Sequence, residues 1–246
     1  SRDASARLTF SGSNGWPSWT PDGRRVVYAS NRVGTQWDIV AKPADGGGDE
    51  QTILSRPWTQ LPQVVSSDGA VAYTETDPDR GDTLWEVSLT DGSKVNPLLD
   101  KTPGEMMPSF SPDGRWVAYV SPETGRNEIY VRARNGAAGK WQITTDGGSE
   151  PVWAPGGREL FYRNGDKLLT VDVETSPTFS FGKSRTLFEG SFVFGTTEQQ
   201  EYDVSRDGQR FLMLKTQEEN RRAAPLEVIV NWFDQVERLA GTAAAK

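Results

Sequence analysis

The hydrophobic and polar positions of this chain follow one pattern that recurs along most of its length. An apolar lead-in precedes a polar turn that contains glycine, and a run of apolar and β-branched residues follows the turn. Short runs of this kind, bounded by turn residues, predict β-strands. The copies are WTPDGRRVVYAS (19–30), VSSDGAVAYTE (65–75), FSPDGRWVAYVS (110–121), WAPGGRELFYR (153–163) and VSRDGQRFLML (204–214).

The spacing of the turn glycines predicts the architecture. Gly23, Gly69, Gly114, Gly157 and Gly208 lie 46, 45, 43 and 51 residues apart. A period of this length with several strands per repeat is typical of a β-propeller. We therefore expect an all-β fold built from four-stranded antiparallel blades. Five blades are expected, near 15–55, 60–99, 105–144, 149–190 and 199–231. Six blades are the alternative, because the long fourth interval contains the segment 177–197, although an insertion there is favoured.

The ring needs a closing strand, because the fifth repeat has no outer strand of its own. The stretch 6–10 has a strand pattern and no partner upstream, so we expect it to complete the last blade and to remove the free edges. Residues 232–240 carry apolar side chains at helical spacing and predict a short amphipathic C-terminal helix. The whole chain, 1–246, is then a single propeller domain, which we expect to be monomeric.

Composition narrows the function classes. The 246 residues include no cysteine and no histidine, which excludes Ser-His-Asp and Cys-His catalysis and every His-ligated metal site. The net charge of −7 argues against nucleic acid as a partner. No apolar run approaches the roughly 20 residues of a membrane helix, so no membrane insertion by this chain is expected. No cofactor is expected either. The compartment is left open between bacterial periplasm and cytoplasm, and Ser1 is interpreted as the boundary of a fragment.

The repeat resembles a known family. The PDG turn, the aromatic residue before it and the strand after it resemble the WD-like repeats of the TolB-type propellers, as do DIVAKPADGG (38–47) and the RLT stretch (7–9). The C-terminal LEVIVNWFDQVERL (226–239) is similar to the end of large bacterial proteins, acidobacterial ones especially. In those, a serine/threonine kinase or another signalling module precedes a TolB-like propeller. The chain has no Gly-rich loop, HRD or DFG motif, so the resemblance implies a kinase only outside it.

Binding residues are expected on one face of the propeller. The glycine turns are short and alike and predict an inert face, whereas the opposite face carries longer, dissimilar loops. Four repeats begin their innermost strand with a residue–proline pair, at Pro17, Pro62, Pro108 and Pro151, and these pairs should surround the mouth of the central channel. The alternative is that they are ordinary residues packing on their neighbours. The predicted binding residues are Trp16, Trp58, Gln60, Leu61, Met106, Met107, Glu150 and Gln200.

Tryptophans and acidic loops provide further candidates. The strand tryptophans are expected in the core between blades, and Trp37 is ambiguous. Trp58 beside Arg56 resembles an interface anchor, with packing of Trp58 over its own blade as the equal alternative. The loop 77–82 partly matches a calcium loop, but no bidentate glutamate follows, so a solvated hairpin tip is expected and no metal site. The tryptophans assigned to the core are Trp19, Trp85, Trp116, Trp141 and Trp153.

These observations favour a non-catalytic module that binds a protein or peptide partner. We expect the sensor or scaffold part of a larger bacterial signalling or envelope protein. The alternative is a propeller hydrolase or lactonase that uses carboxylates or a bound calcium at the channel mouth. A third hypothesis is the accessory propeller of a peptidase whose catalytic domain lies outside this sequence.

Overall fold

The structure is a computed structural model that describes residues 7–32, 34–99, 102–136, 139–193 and 199–214. All of them belong to the unit Ser1–Lys215, and the unit Thr216–Lys246 lies outside the described residues. Within the described ranges the chain forms strands, turns and loops and no helix. The all-β prediction is therefore confirmed. The predicted helix 232–240 and residues 215–231 of the predicted fifth blade lie outside these ranges.

The first three repeats each form a four-stranded antiparallel sheet whose strands follow the order of the sequence. Blade 1 consists of β1 (Asn14–Trp19), β2 (Arg25–Ser30), β3 (Asp38–Pro43) and β4 (Gln51–Leu54). Blade 2 consists of β5 (Thr59–Val65), β6 (Ala70–Asp77), β7 (Gly81–Ser88) and β8 (Val95–Pro97). Blade 3 consists of β9 (Met106–Phe110), β10 (Trp116–Ser121), β11 (Glu128–Ala133) and β12 (Lys140–Gln142).

Blade 4 contains an additional short strand. Its strands are β13 (Ser149–Trp153), β14 (Glu159–Asn164), β15 (Lys167–Glu174), β16 (Ser180–Phe181) and β17 (Arg185–Glu189). β16 pairs with the end of β15 and β17 pairs with its beginning. Part of the segment 177–197 is therefore used within blade 4.

The fifth repeat is described only in part, by β18 (Tyr202–Val204) and β19 (Phe211–Met213). The choice between five and six blades stays a prediction. Residues 7–10 do not form the strand that was predicted over 6–10. A strand needs a neighbour for its backbone groups, and no described strand pairs with this stretch. Instead, Lys42 Nζ on β3 donates a hydrogen bond to the carbonyl oxygen of Leu8 at 2.9 Å. Closure of the ring by residues 6–10 also stays a prediction.

The recurring turn is held by its aspartate and its glycine. In blade 3, Ser111 Oγ and the backbone N–H of Arg115 donate to Asp113 Oδ1 at 2.6 and 3.1 Å. Gly114 has a φ of 69°, a left-handed conformation that glycine adopts without steric cost. Its N–H bonds the Ser111 carbonyl at 2.8 Å. The turns form one face of the propeller, called here the glycine-turn face, and the opposite face is the loop face.

Apolar side chains join each blade to the one before it. Phe110 of blade 3 is buried with blade 2 residues, and Trp153 of blade 4 is buried with blade 3 residues. Trp153 Nε1 also donates to the Ser109 carbonyl at 3.1 Å.

The predicted core tryptophans differ in their exposure. Trp116 and Trp153 are buried, as predicted, whereas Trp85 and Trp141 are only half-buried. The prediction that Trp19 is buried is wrong, since 61% of the residue is exposed. Its counterparts pack on a preceding blade, and the blade that would precede blade 1 in a ring is the partly described fifth.

Candidate functional site

The innermost strands bring the residue–proline pairs together. β1 packs against β5, β5 against β9, and β9 against β13. Each first strand carries its pair before or at its middle, so the four pairs lie toward the loop-face end of neighbouring strands. The residues before the prolines are called here the mouth ring: Trp16, Leu61, Met107 and Glu150.

Three of the four mouth-ring residues have a left-handed backbone. The φ angles of Trp16, Met107 and Glu150 are 52°, 51° and 54°. Each lies at a bulge between the first and second strands of its blade. Residues other than glycine rarely adopt this backbone conformation. It costs of order 1–3 kcal/mol of conformational energy and persists only where the surrounding structure enforces it. Leu61 does not share it, because in blade 2 the bulge falls between Pro62 and Val64. Sequence reasoning found the pairs but did not predict this conformation.

Trp16 and Gln60 are connected through Trp37, which the sequence left ambiguous. The rings of Trp16 and Trp37 meet edge to face with centroids 5.3 Å apart. The backbone N–H of Gln60 donates to the Trp37 carbonyl at 2.8 Å. The Gln60 side chain is fully buried, and its Nε2 has no acceptor among the described residues. Gln60 therefore positions the backbone of the mouth, while half-buried Trp16 keeps part of its surface accessible.

A charged and aromatic cluster lies beside the mouth on blade 2. The guanidinium of Arg56 lies over the Trp85 ring, 5.2 Å from its centroid, and pairs with Glu75 Oε2 at 3.1 Å. It also donates to the Tyr73 hydroxyl at 3.3 Å. Burial raises the pKa of Glu75 despite the opposing effect of Arg56, and burial raises the pKa of Tyr73 to about 12. Arg56 thus has Trp85 as an aromatic partner, although the sequence suggested Trp58, which is half-buried.

This cluster borders a cavity of about 310 Å³. Its wall includes Glu75, Trp85, Thr83, Asp77, Arg80 and Pro103. The cavity lies at the hairpin tip that carries the predicted solvated loop. There, Asp77 accepts a hydrogen bond from the Asp79 N–H at 2.9 Å and faces Arg80 Nε at 3.7 Å. The described residues contain no group of three or more Asp, Glu, His or Cys side chains arranged to hold a metal ion.

Glu150 is turned into the contact between blades 4 and 5. Glu150 and Arg163 are 2% and 1% exposed, and Arg163 Nη1 lies 3.4 Å from Glu150 Oε1. The Glu201 N–H donates to Glu150 Oε2 at 2.8 Å, and the Tyr202 hydroxyl donates to the Glu150 carbonyl at 2.9 Å. Burial raises the pKa of Glu150, against the lowering effects of Glu201 N–H and Arg163. Its side chain therefore attaches the fifth repeat and is not on the surface.

The other predicted binding residues are likewise either buried or partly accessible to solvent. Gln200 Nε2 donates to the Pro151 carbonyl at 2.6 Å, which brings Gln200 next to Glu150. Met107 is buried in the core of blades 3 and 4, and half-buried Met106 packs against that core. The predicted residues with accessible surface are Trp16, Trp58, Leu61, Met106 and Gln200, whereas Gln60, Met107 and Glu150 are buried.

The glycine-turn face is less uniform than its short turns predict. The insertion 175–184 of blade 4 borders a cavity of about 1240 Å³, and residues 177–179 of the same loop border one of about 710 Å³. The larger cavity is lined by charged side chains that are already paired, such as Arg185 with Glu159 at 2.7 Å. Among the described residues, no helix has the length and apolar character that a membrane crossing needs.

Comparison with solved structures identifies the architecture. TolB from Acinetobacter baumannii superimposes with a TM-score of 0.63 at 18% identity, over 81% of this chain and 48% of that one. The fold is that of the TolB-type β-propellers. An oligogalacturonate lyase solved in complex with manganese superimposes with a TM-score of 0.59 at 14% identity, over 83% of this chain and 59% of the lyase.

Sequence comparison agrees with the TolB-type fold. A 51-residue stretch is 43% identical to the Tol-Pal system protein TolB of Hydrogenovibrio crunogenus, over 21% of this chain and 12% of that protein. An uncharacterized protein of Agrobacterium fabrum is 25% identical over 162 residues, 60% of this chain and 53% of that protein. The chain thus spans about half the length of the Agrobacterium protein and of the Acinetobacter TolB. No family model matches the chain.

Proposed function

We propose that this TolB-type propeller is a non-catalytic module that binds a protein or peptide partner through its loop face at the mouth ring. We further propose that it is the sensor or scaffold part of a larger bacterial signalling or envelope protein. Residues 226–239 resemble the end of proteins in which a kinase or another signalling module precedes the propeller. We propose such a module in the larger protein as well.

The observation that carries the proposal is the left-handed backbone at Trp16, Met107 and Glu150. The same costly conformation recurs at one position in three blades, and such strain clusters at ligand clamps and binding sites. It also fixes the backbone of the rim before a partner arrives, which lowers the entropy cost of binding.

The accessible side chains of the site suit a peptide or protein surface. Trp16 and Trp58 are half-buried, and Arg56 lies against the Trp85 ring. Tryptophan and arginine are the side chains that contribute most often to binding energy at interfaces. A TolB relative is named as a Tol-Pal system protein, which is compatible with a partner-binding role.

Selection from a random peptide library displayed on phage tests the proposal. The wild-type chain serves as bait, and selected peptides are then synthesised and titrated by calorimetry. We expect Trp16→Ala and Trp58→Ala each to weaken peptide binding by about tenfold or more, as for an aromatic anchor. Arg158→Ala, a change on the glycine-turn face, is the matched control and should leave the affinity unchanged.

Two results would contradict this assignment. Selected peptides that bind the Trp16 and Trp58 variants as tightly as the wild type would remove the mouth ring from the site. Alternatively, peptides that lose affinity only with Arg158→Ala would place recognition on the opposite face.

The alternative function is a hydrolase or lactonase that uses carboxylates or a bound calcium at the channel mouth. The observation that favours it is the raised pKa of Glu75 at the edge of the 310 Å³ cavity, because perturbed carboxyls cluster at catalytic sites. A hydrolase and lyase substrate panel, run with added calcium or manganese and then with chelator, tests it. Activity that chelation or Glu75→Gln abolishes would replace the binding proposal, and no turnover in any condition would remove the alternative.

A further inference from the structure

Two sheet faces are left open, one on blade 1 and one on the described part of blade 5. The blade 1 open face carries Trp19, Val26 and Lys42, which are paired across β1, β2 and β3 and therefore share one side of the sheet. The blade 5 open face carries Asp203 and Leu212, which are paired across β18 and β19. Trp19 is 61% exposed and Leu212 is 72% exposed.

The other sides of these two blades are already covered. Val27 on β2 is buried in a core that blades 1 and 2 share, and Phe211 on β19 packs against buried residues of blade 4. Each open face is thus the side of its blade on which the described residues supply no neighbouring blade.

Elsewhere in the chain, the position of Trp19 is filled by an aromatic residue that packs on the preceding blade. Phe110 and Trp153 lie four residues before their turn glycines, as Trp19 does, and they are 8% and 5% exposed. Both are buried with apolar residues of the blade before them. The blade 1 open face therefore has the pattern of a face that receives another blade.

Leu212 and Leu214 have the pattern of the complementary side. They lie four and six residues after the turn glycine of blade 5, as Ala118 and Val120 do in blade 3. Ala118 and Val120 are 0% exposed in the core that blades 3 and 4 share, whereas Leu212 and Leu214 are 72% and 52% exposed. The blade 5 open face is therefore the kind of surface that a following blade covers.

The two open faces also differ in charge. Lys42 Nζ and the guanidinium of Arg7 lie 5.6 and 5.5 Å from the centroid of the Phe10 ring, and Phe10 is 73% exposed. Asp203 is exposed beside Leu212 on the blade 5 open face. Opposite charges on two apolar surfaces favour their association and fix its direction.

The two open faces do not cover each other within one chain. β1 and β19 belong to the same compact unit, Ser1–Lys215, and yet Trp19 and Leu212 are both exposed. The stretch 7–10, which was expected to close the ring, forms no strand and lies beside Lys42, which bonds the Leu8 carbonyl. A second copy of the chain offers each open face the surface that complements it.

We propose that copies of this chain associate head to tail, with the blade 5 open face of one copy against the blade 1 open face of the next. Leu212 and Leu214 then cover Trp19, and Asp203 faces the positive edge at Lys42. An interface between two different faces is heterologous, so it adds further copies and does not stop at a two-fold dimer. This association is separate from the mouth ring and does not depend on the function proposed above.

Sedimentation equilibrium over a concentration series tests the association. We expect the average mass to rise above the 27.1 kDa of one chain, with a dissociation constant of about 10–100 µM, as for a small interface. At about 1 µM the chains should be separate, so the monomer expected from the sequence is the dilute state. A mass that stays at 27.1 kDa up to about 1 mM would overturn the proposal and would indicate that the chain itself or another protein covers these faces.

Two variants distinguish a head-to-tail interface from a two-fold one. Trp19→Arg blocks the blade 1 open face and Leu212→Arg blocks the blade 5 open face. Both positions are exposed, so the fold should be retained, which circular dichroism checks. Each variant alone should be monomeric. An equimolar mixture should form a pair and nothing larger, because each variant provides the face that the other lacks.

Glu189→Arg is the matched control, because it places the same charge on β17, outside both open faces, and it should associate like the wild type. Association of Trp19→Arg or Leu212→Arg at wild-type strength would exclude that face from the interface. A mixture of the two that remains monomeric would exclude the head-to-tail arrangement.

Asp203→Lys tests the contribution of charge. It places a cation against Lys42 and Arg7 of the next copy, so we expect it to weaken association about tenfold at low salt. In about 1 M NaCl the Debye length is only about 3 Å, and most of this loss should be recovered. A loss of equal size at both salt concentrations would overturn the placement of Asp203 opposite Lys42.

Discussion

The guanidinium of Arg163 lies 3.4 Å from the carboxylate of Glu150, and solvent reaches almost nothing of either side chain. Arg163 Nη1 also donates to the Val193 carbonyl at 2.7 Å, while Glu150 accepts the N–H of Glu201 at 2.8 Å. The pair thus joins β13 and β14 to the segment that leads into the fifth repeat. Its charges are desolvated, and each is tolerated only because the other is present.

We predict that Glu150→Gln lowers the free energy of unfolding by about 3 kcal/mol, because Arg163 keeps its charge in a buried site that has lost its anion. Urea unfolding followed by tryptophan fluorescence measures this change. Glu189→Gln, at an exposed position at the end of β17, is the control and should change stability by less than about 0.5 kcal/mol. An equally small effect at Glu150 would show that the pair is not needed for stability.

The left-handed backbone at Trp16 gives a prediction that depends on backbone conformation alone. Trp16→Ala and Trp16→Gly remove the same contact with Trp37, but only glycine accepts the φ of 52° freely. The glycine variant should therefore be more stable than the alanine variant by about 1 kcal/mol. At Leu61, which is not left-handed, the order should be reversed. Urea unfolding of the four variants measures both differences, and the same order at the two positions would contradict strain at Trp16.

The repeating part of the fold follows from local signals, and for that reason the sequence predicted it well. A turn such as 111–115 contains its own hydrogen-bond partners, and short apolar runs such as Trp116–Ser121 lie beside it. Blades 1 to 3 accordingly have the expected four strands. The residue–proline pairs were likewise visible from the sequence.

The remaining features depend on contacts between distant residues. Glu150 was predicted as a binding residue because its partner Arg163 lies on the next strand and cannot be assigned from the pattern. Trp19 and Trp153 precede equivalent turns, yet only Trp153 has a described blade to pack against. Phe179 packs against Trp116 with the ring centroids 5.2 Å apart, and it comes from an insertion outside the repeat. No periodic signal could have placed Phe179 beside Trp116.

The lowered pKa of the turn residue Asp113 predicts that the stability of the fold depends on pH. Partial burial acts to raise the pKa of Asp113, but the hydrogen bonds from Ser111 Oγ and Arg115 N–H and the charge of Arg115 outweigh it, so the pKa lies below its usual 3.8. A lowered folded-state pKa stabilises the fold above 3.8, and this stabilisation is lost as the pH falls through the lowered value. Asp113→Asn should therefore melt below the wild type at neutral pH.

The difference in melting temperature should shrink as the pH falls below 3.8. Thermal unfolding followed by circular dichroism over a pH series measures it. Ser111→Ala removes the hydroxyl donor and should reproduce the same trend with a smaller amplitude. A difference that is constant across the series would show that the charge of Asp113 does not contribute to stability.

Trp153 and Trp19 occupy equivalent places before their turns but differ in burial. Trp153 is 5% exposed and bonds the Ser109 carbonyl at 3.1 Å, whereas Trp19 is 61% exposed. We predict that Trp153→Ala lowers the free energy of unfolding by about 3–5 kcal/mol, because it opens a cavity between blades 3 and 4. Trp19→Ala should cost less than about 1 kcal/mol, as expected for an exposed residue. Urea unfolding compares the two, and a loss at Trp19 as large as that at Trp153 would show that a further blade or another chain covers Trp19 in solution.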